Sequence, residues 1–258
     1  MILQKIKSIL LLTTGLFFVV GMSQANAEAL DLSDFTAQTF WLISMAMVAS
    51  TAFFFLERDR VAAKWKTSLT LAGIVTGVAA WHYMYMRGVW IDTGTSPTEL
   101  RYIDWLITVP ILMVEFYIIL KAVTNVSSGV FWRLLIASII MLCFGYLGES
   151  GQMDHIIAFP IGMAAWLYMI YEIFVGEAGQ ANASSGNEAV SNAFSALRLI
   201  VTVGWAVYPL GYAIGYLPSG GEGIDGASLN QIYNLADFIN KIAFGLIIYV
   251  AAVKDSNK

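Results

Sequence analysis

The chain has 258 residues, of which 58% are hydrophobic and only 12% charged, and its mean hydropathy is +0.70. A soluble domain carries about 25% charged residues, so the composition identifies a membrane protein. The net charge of -4 is small and spread over the polar ends, which leaves no basic footprint and excludes nucleic acid as a partner.

At the N-terminus Lys5 and Lys7 precede the apolar run "ILLLTTGLFFVVGM", and "SQANAEA" follows with Ala25 and Ala27 in A-x-A register. This is the pattern of a signal peptide, expected to occupy residues 1–27 and to be cleaved after Ala27. The alternative, an uncleaved extra helix, is disfavoured because the run is short for a bilayer crossing.

Residues 28–258 then form one domain. Apolar stretches at 35–56, 68–91, 100–121, 130–148, 155–175, 194–217 and 229–253 each approach bilayer length, so the spacing predicts an all-α bundle of seven transmembrane helices. The breaks, among them "ERDRVAAKWK", "DTGTSPTE" and "GEAGQANASSGNEA", are rich in Gly, Ser, Asn and charge and are too short for another domain. No internal repeat suggests an inverted-repeat transporter. Cys143, the only cysteine, excludes an internal disulfide and reads as a buried small hydrophobe.

Arg58, Arg60, Lys64, Lys66, Lys121, Arg133, Arg198, Lys254 and Lys258 fall at one end of the spans, against Arg87 and Arg101 at the other. The rich end is expected to be cytoplasmic and the N-terminus outside, with the protein multi-pass in a bacterial cytoplasmic (inner) membrane. Arg87, with Trp90, reads as an anchor near the outer end of the second span.

The third span carries charges that a structural helix has no reason to accept. Asp104 and Glu115 are eleven residues apart, about 16 Å along the axis and about 20° around it, hence on one face. Arg101 lies one turn outward of Asp104 and Thr108 one turn inward, so the row must look into the bundle. In the seventh span Asp237 and Lys241 stand at i and i+4. Lys241 is mid-span, where snorkelling is hard, and a desolvated lysine amine is suited to forming a Schiff base with a carbonyl ligand. Its bland alternative is a buried ion pair with Asp237, which seldom adds net stability.

Aromatic residues near mid-span supply a possible wall for a long apolar ligand: Tyr83, Trp105, Trp166 and, in "WAVYP", Trp205 and Tyr208. Taken alone, such residues are usually packing. Pro209 is expected to kink the sixth span and free a backbone carbonyl. His82 in "WHYMYM" is either a satisfied core histidine or a partner tuning a carboxylate.

The stretches "FFFLERDRVAAKWKTSLT", "WHYMYMRGVW", "RYIDWLITVP", "WAVYPLGY" and "IYNLADFINKIAFGLIIY", in this order on seven spans, resemble the microbial rhodopsins, and among them the proteorhodopsins, over residues 30 to 255. The resemblance implies all-trans retinal held on Lys241 as a protonated Schiff base, with Asp104 and Asp237 as counterions. It implies that Asp104 accepts the proton, that Glu115 returns one, and that His82 pairs with Asp104. Trp105, Trp205, Tyr208 and Tyr212 match retinal-contacting positions, and Leu112 matches the position that is Leu in green-absorbing members, so green absorption is expected. Asp104, Thr108 and Glu115 together follow the family's proton-pump pattern. The resemblance further implies a pentamer or hexamer, with His82 and Trp41 near a subunit contact.

These readings converge on a light-driven outward proton pump, with protons and the lipid bilayer as partners and no metal. Its rival is a retinal photosensor signalling through a partner, although no extra domain offers a docking surface. An enzyme is not expected, since Asp104 and His82 lack a nucleophile arrangement.

Overall fold

The computed structural model describes residues 33–217 and 225–257. The expected signal peptide and Lys258 lie outside the described residues. The helices are α1 (Phe35–Glu57), α2 (Lys66–Thr93), α3 (Thr98–Lys121), α4 (Ser128–Glu149), α5 (His155–Phe174), a short α6 (Glu177–Ser184), α7 (Glu188–Leu199), α8 (Val207–Tyr216) and α9 (Gly226–Ser256). A π-helical stretch, Ile200–Gly204, joins α7 to α8 in one rod, so the described residues form the expected seven long helices.

Several ends are set by the local sequence. Asp34, Asp154, Asn187 and Asp225 cap α1, α5, α7 and α9, each accepting a backbone N–H of the first turn. Gly94 ends α2 in the left-handed region at φ 65°, where a side chain would be strained. The other Asp34 carboxylate oxygen accepts from the Trp90 indole at 2.9 Å, tying the start of α1 to the end of α2.

Six rods are long and apolar enough to cross a membrane. The seventh, α2, is as long but is made less apolar by residues such as Thr70, Thr76, His82 and Arg87. Neighbours in sequence pack as neighbours in space, and α9 closes the ring against α1, α2 and α7. In α3, 72% of the apolar window is buried, against 28% in α1, α4, α5 and the α7–α8 rod, which makes α3 the innermost helix. Outward faces carry Leu42, Trp132, Leu167, Leu210 and Leu235, as a lipid-facing surface requires.

Two expectations need correction, and one break carries a helix of its own. Cys143 is exposed on the outward face of α4 rather than buried, because in a bundle surrounded by lipid an apolar run has as much reason to face out as in. The break "GEAGQANASSGNEA" contains α6, which buries Ala178, Gly179 and Asn182. Arg133 braces this segment, pairing with Glu172 at 3.0 Å and Glu177 at 2.7 Å. Arg87 is buried and packs over the Trp41 ring at 5.7 Å rather than anchoring at an interface.

The end that carries Lys64 and Arg133 is stapled again at Asp255. Its carboxylate accepts from Lys64 at 2.6 Å, the Trp65 indole at 2.9 Å and Asn187 at 2.6 Å, joining α9 to the α1–α2 connection and to the start of α7.

Candidate functional site

Lys241 lies fifteen residues from either end of α9, so the amine is at the middle of the bundle. On the same helix Asp237, Asn234 and Asn230 fall four, seven and eleven residues earlier, which puts all four on one inward face. All are buried. On α3, Asp104 is six residues from the first residue and Glu115 six from the last.

The Lys241 amine donates to Asp104 across the bundle and to Asp237 at 2.9 Å. Asp237 is further held by the hydroxyls of Tyr83 at 2.8 Å and Tyr208 at 2.6 Å and by the Trp105 indole at 3.2 Å. Arg101 donates to Asn230 at 2.6 Å and to Asn234 at 3.2 Å. Two cations thus face two carboxylates in a buried set, which lets charge balance offset part of the desolvation penalty.

The balance is not complete satisfaction. Asp104 is fully buried, yet its Oδ1 has no hydrogen-bond partner among the described residues. Thr108, one turn on, donates to the Asp104 carbonyl oxygen at 2.9 Å rather than to its carboxylate.

Glu115 is buried, and among the described residues only the Ser68 hydroxyl of α2 acts on its carboxyl. Glu115 and Lys241 line one small void together with Val75, Leu112 and Phe244.

On the other side of Lys241 opens a cleft between α3, α4, α5, α8 and α9. Of the residues expected to contact a ligand, Lys241, Trp105, Leu112, Trp166, Trp205, Tyr208, Pro209 and Tyr212 all line it. Tyr83 does not; it sits beneath Asp237 as a hydrogen-bond donor. Sequence reasoning missed Met141, Gly145, Phe159, Gly162, Met163 and Asn240. The only signal was the small residues, and Gly145 shows its value: a Cβ there would come within 2.8 Å of the Tyr102 hydroxyl.

The kink in the sixth span differs from the expected one. The helix widens at Ile200–Gly204, ahead of Pro209, and the Trp205 carbonyl that Pro209 cannot satisfy accepts from the Tyr208 N–H at 3.1 Å. The carbonyls of Val201 and Gly204 accept instead from Trp166 at 3.0 Å and Asn240 at 3.1 Å. The irregular backbone therefore fixes two side chains of the cleft.

His82 is half-buried, and its Nδ1 pairs with the Val78 carbonyl at 3.1 Å. No hydrogen bond joins it to Asp104, although it stays within electrostatic reach. The expected direct pairing is not a contact in this structure.

A family model described as "Bacteriorhodopsin-like protein" matches residues 34–255. The blue-light absorbing proteorhodopsin of Gamma-proteobacterium Hot 75m4 is 55% identical over 248 residues, covering 96% of this chain and 98% of that protein. The green-light absorbing proteorhodopsin of Gamma-proteobacterium EBAC31A08 matches with the same identity and coverage. The crystal structure of the blue light-absorbing proteorhodopsin from Med12 superposes with a TM-score of 0.74 at 54% identity, covering 86% of this chain and all of that one, 100%.

Proposed function

The chain belongs to the bacteriorhodopsin-like family, and we propose that it is a light-driven outward proton pump with all-trans retinal attached to Lys241 as a protonated Schiff base. The observation that carries the reading is the row on α3: Asp104 on one side of Lys241 and Glu115 on the other, both buried inside the bundle.

The residues fit such a group. A cleft walled by Trp105, Trp205, Tyr208 and Trp166 ends at the Lys241 amine, and its aromatic, apolar walls suit a long apolar ligand. Gly145 and Gly162 keep the far end open, since a Cβ at the first would crowd Tyr102 and one at the second would approach the Met141 carbonyl at 3.4 Å. When bound, retinal supplies visible absorption and a light-driven change of shape.

The chain does the rest. Asp104, whose Oδ2 already accepts from the Lys241 amine, takes the proton from that nitrogen. Asp237, held by Tyr83, Tyr208 and Trp105, is already engaged and serves as the fixed counterion. Glu115 returns a proton to the Lys241 nitrogen through the small void they share. Arg101 stands on the far side of Asp104 and favours departure of the proton that way.

Direction follows from the ends. The end bearing Lys64, Lys66, Arg133 and Arg198 is rich in basic residues and is cytoplasmic by the positive-inside tendency. Since Glu115 lies toward that end, each cycle carries one positive charge outward. Moving it against the membrane potential costs about 2.3 kcal/mol per 100 mV, which the absorbed light must supply. The protein would then lie in a bacterial inner membrane, as a homo-oligomer.

Adding retinal to the purified apoprotein tests the reading. A visible band should form, in the green, and Lys241→Ala should form none. An unchanged band in Lys241→Ala would remove the proposed attachment.

A further inference from the structure

The basic end of the sixth span carries a cation that no acidic group answers. Arg198, in the last turn of α7, is half-buried and donates from Nε to the Ile173 carbonyl at 2.7 Å. Its guanidinium lies over the Phe174 ring at 4.8 Å and over the Phe194 ring at 4.7 Å. Among the described residues no carboxylate pairs with it or lies close enough to act on its charge. Its neighbours at this end are treated differently: Arg133 binds Glu172 and Glu177, and Lys64 binds Asp255.

The depth of Arg198 is set by what it touches. It stands ten residues into α7 from Glu188, about 15 Å along the axis, yet it meets the last two residues of α5. Beyond them the chain turns polar, in "GEAGQANASSGNEA". The guanidinium is therefore level with the membrane surface, and the start of α7 projects past it.

Toward the middle of the bilayer two exposed apolar stripes begin at this level. One is Phe174, Tyr171 and Leu167 on α5, and the other is Leu199 and Val203 where α7 widens. They flank a seam between the fifth and sixth spans that is closed by Arg198 at its mouth and by the Trp166 to Val201 bond at 3.0 Å further in. Exposed apolar stripes at this depth face acyl chains.

We propose that Arg198 and this seam form a binding site for one anionic phospholipid of the inner leaflet, its phosphate on the guanidinium and its acyl chains along the two stripes. With Nε engaged and two rings fixing the group, the terminal nitrogens are presented as a fork, which matches a phosphate in two parallel bonds. Basic sites between helices on the cytoplasmic side take such headgroups. A net negative headgroup balances the unanswered charge, whereas a zwitterionic one brings a cation of its own. Binding also braces the sixth span, because the Thr202 hydroxyl donates to the Arg198 carbonyl at 2.8 Å from within the widened stretch. The leaflet rests on the orientation given above; the contact itself does not depend on pumping.

Native mass spectrometry of the purified protein tests it, in uncharged detergent with equal amounts of phosphatidylglycerol and phosphatidylcholine. The parent should retain one phosphatidylglycerol with a preference of about fivefold or more. Arg198→Gln should lose the preference and Arg198→Lys should keep part of it. Ser195→Glu, at an exposed position one turn before Arg198, supplies an internal carboxylate and should lose it with the helix intact. In the retinal-loaded protein, phosphatidylglycerol should raise the temperature at which colour is lost, and should not do so in Arg198→Gln. Equal retention of the two lipids by the parent, or an unchanged preference in Arg198→Gln, overturns the proposal. Displacement of the lipid by an equal concentration of chain-free glycerol phosphate overturns it as well, since the seam would then hold no chains. The mass measurement needs no colour, so it decides the lipid site even where the pump reading fails.

Discussion

Lys241 of α9 donates to Asp104 across the bundle and to Asp237 one turn away at 2.9 Å. One amine thus binds two carboxylates of unequal standing. Asp237 is held by three further donors, while one oxygen of Asp104 is left open.

That inequality predicts which carboxylate does the accepting. Asp104→Asn should reduce light-driven acidification by about 100-fold or more, because the acceptor is removed while the amide keeps its shape. The same variant should be shifted to the red at neutral pH, since an uncharged partner no longer stabilises the positive charge on the Lys241 nitrogen in the dark. Acidifying the parent protein should produce the same red shift as Asp104 protonates, and His82 variants should move the midpoint of that change. Absorption spectra recorded across a pH titration check all three statements.

Glu115→Gln isolates the second half of the cycle. The first transfer, from Lys241 to Asp104, should keep its rate, whereas return of a proton to Lys241 should slow by about 100-fold or more. Flash spectroscopy separates the two steps, and slowing of the first would assign Glu115 a different role.

Leu112 borders both the cleft and the void that leads to Glu115, so a polar side chain there acts directly on the chromophore. Leu112→Gln should move the absorption maximum to the blue, because an amide dipole near the Lys241 end stabilises the charge distribution of the dark state. An unshifted maximum would show that this position does not set the colour.

Phe116 is fully buried between Phe194 at 5.0 Å and Phe244 at 5.9 Å. Truncation to Ala leaves a cavity beside Glu115 and should lower stability by about 3–5 kcal/mol. Loss of colour on heating reports it, and the thermal midpoint should fall well below that of the parent.

The sequence is most informative where polarity is costly. Arg101, Asp104, Glu115, Asp237 and Lys241 stand out because a bilayer penalises each of them, and the structure brings four of them together, with Glu115 set across the small void. The aromatic wall was readable as candidates only, since packing uses the same residues. Gly145, Gly162 and Asn240 were not legible, because their value lies in what a neighbouring helix brings close, not in their own polarity. The widening at Ile200–Gly204 was hidden for a similar reason: Pro209 announces a break, but the bonds from Trp166 and Asn240 accompany it earlier in the helix. His82 illustrates the limit in the other direction, an unusual residue whose ring bonds its own helix at Val78.

The central claim is outward proton transport, and light-induced pH change in cells expressing the retinal-loaded protein tests it most directly. The medium should acidify on illumination, recover in the dark, and show no change once a protonophore is added. A visible band with no pH change on illumination would contradict the pump and leave a photosensor in its place.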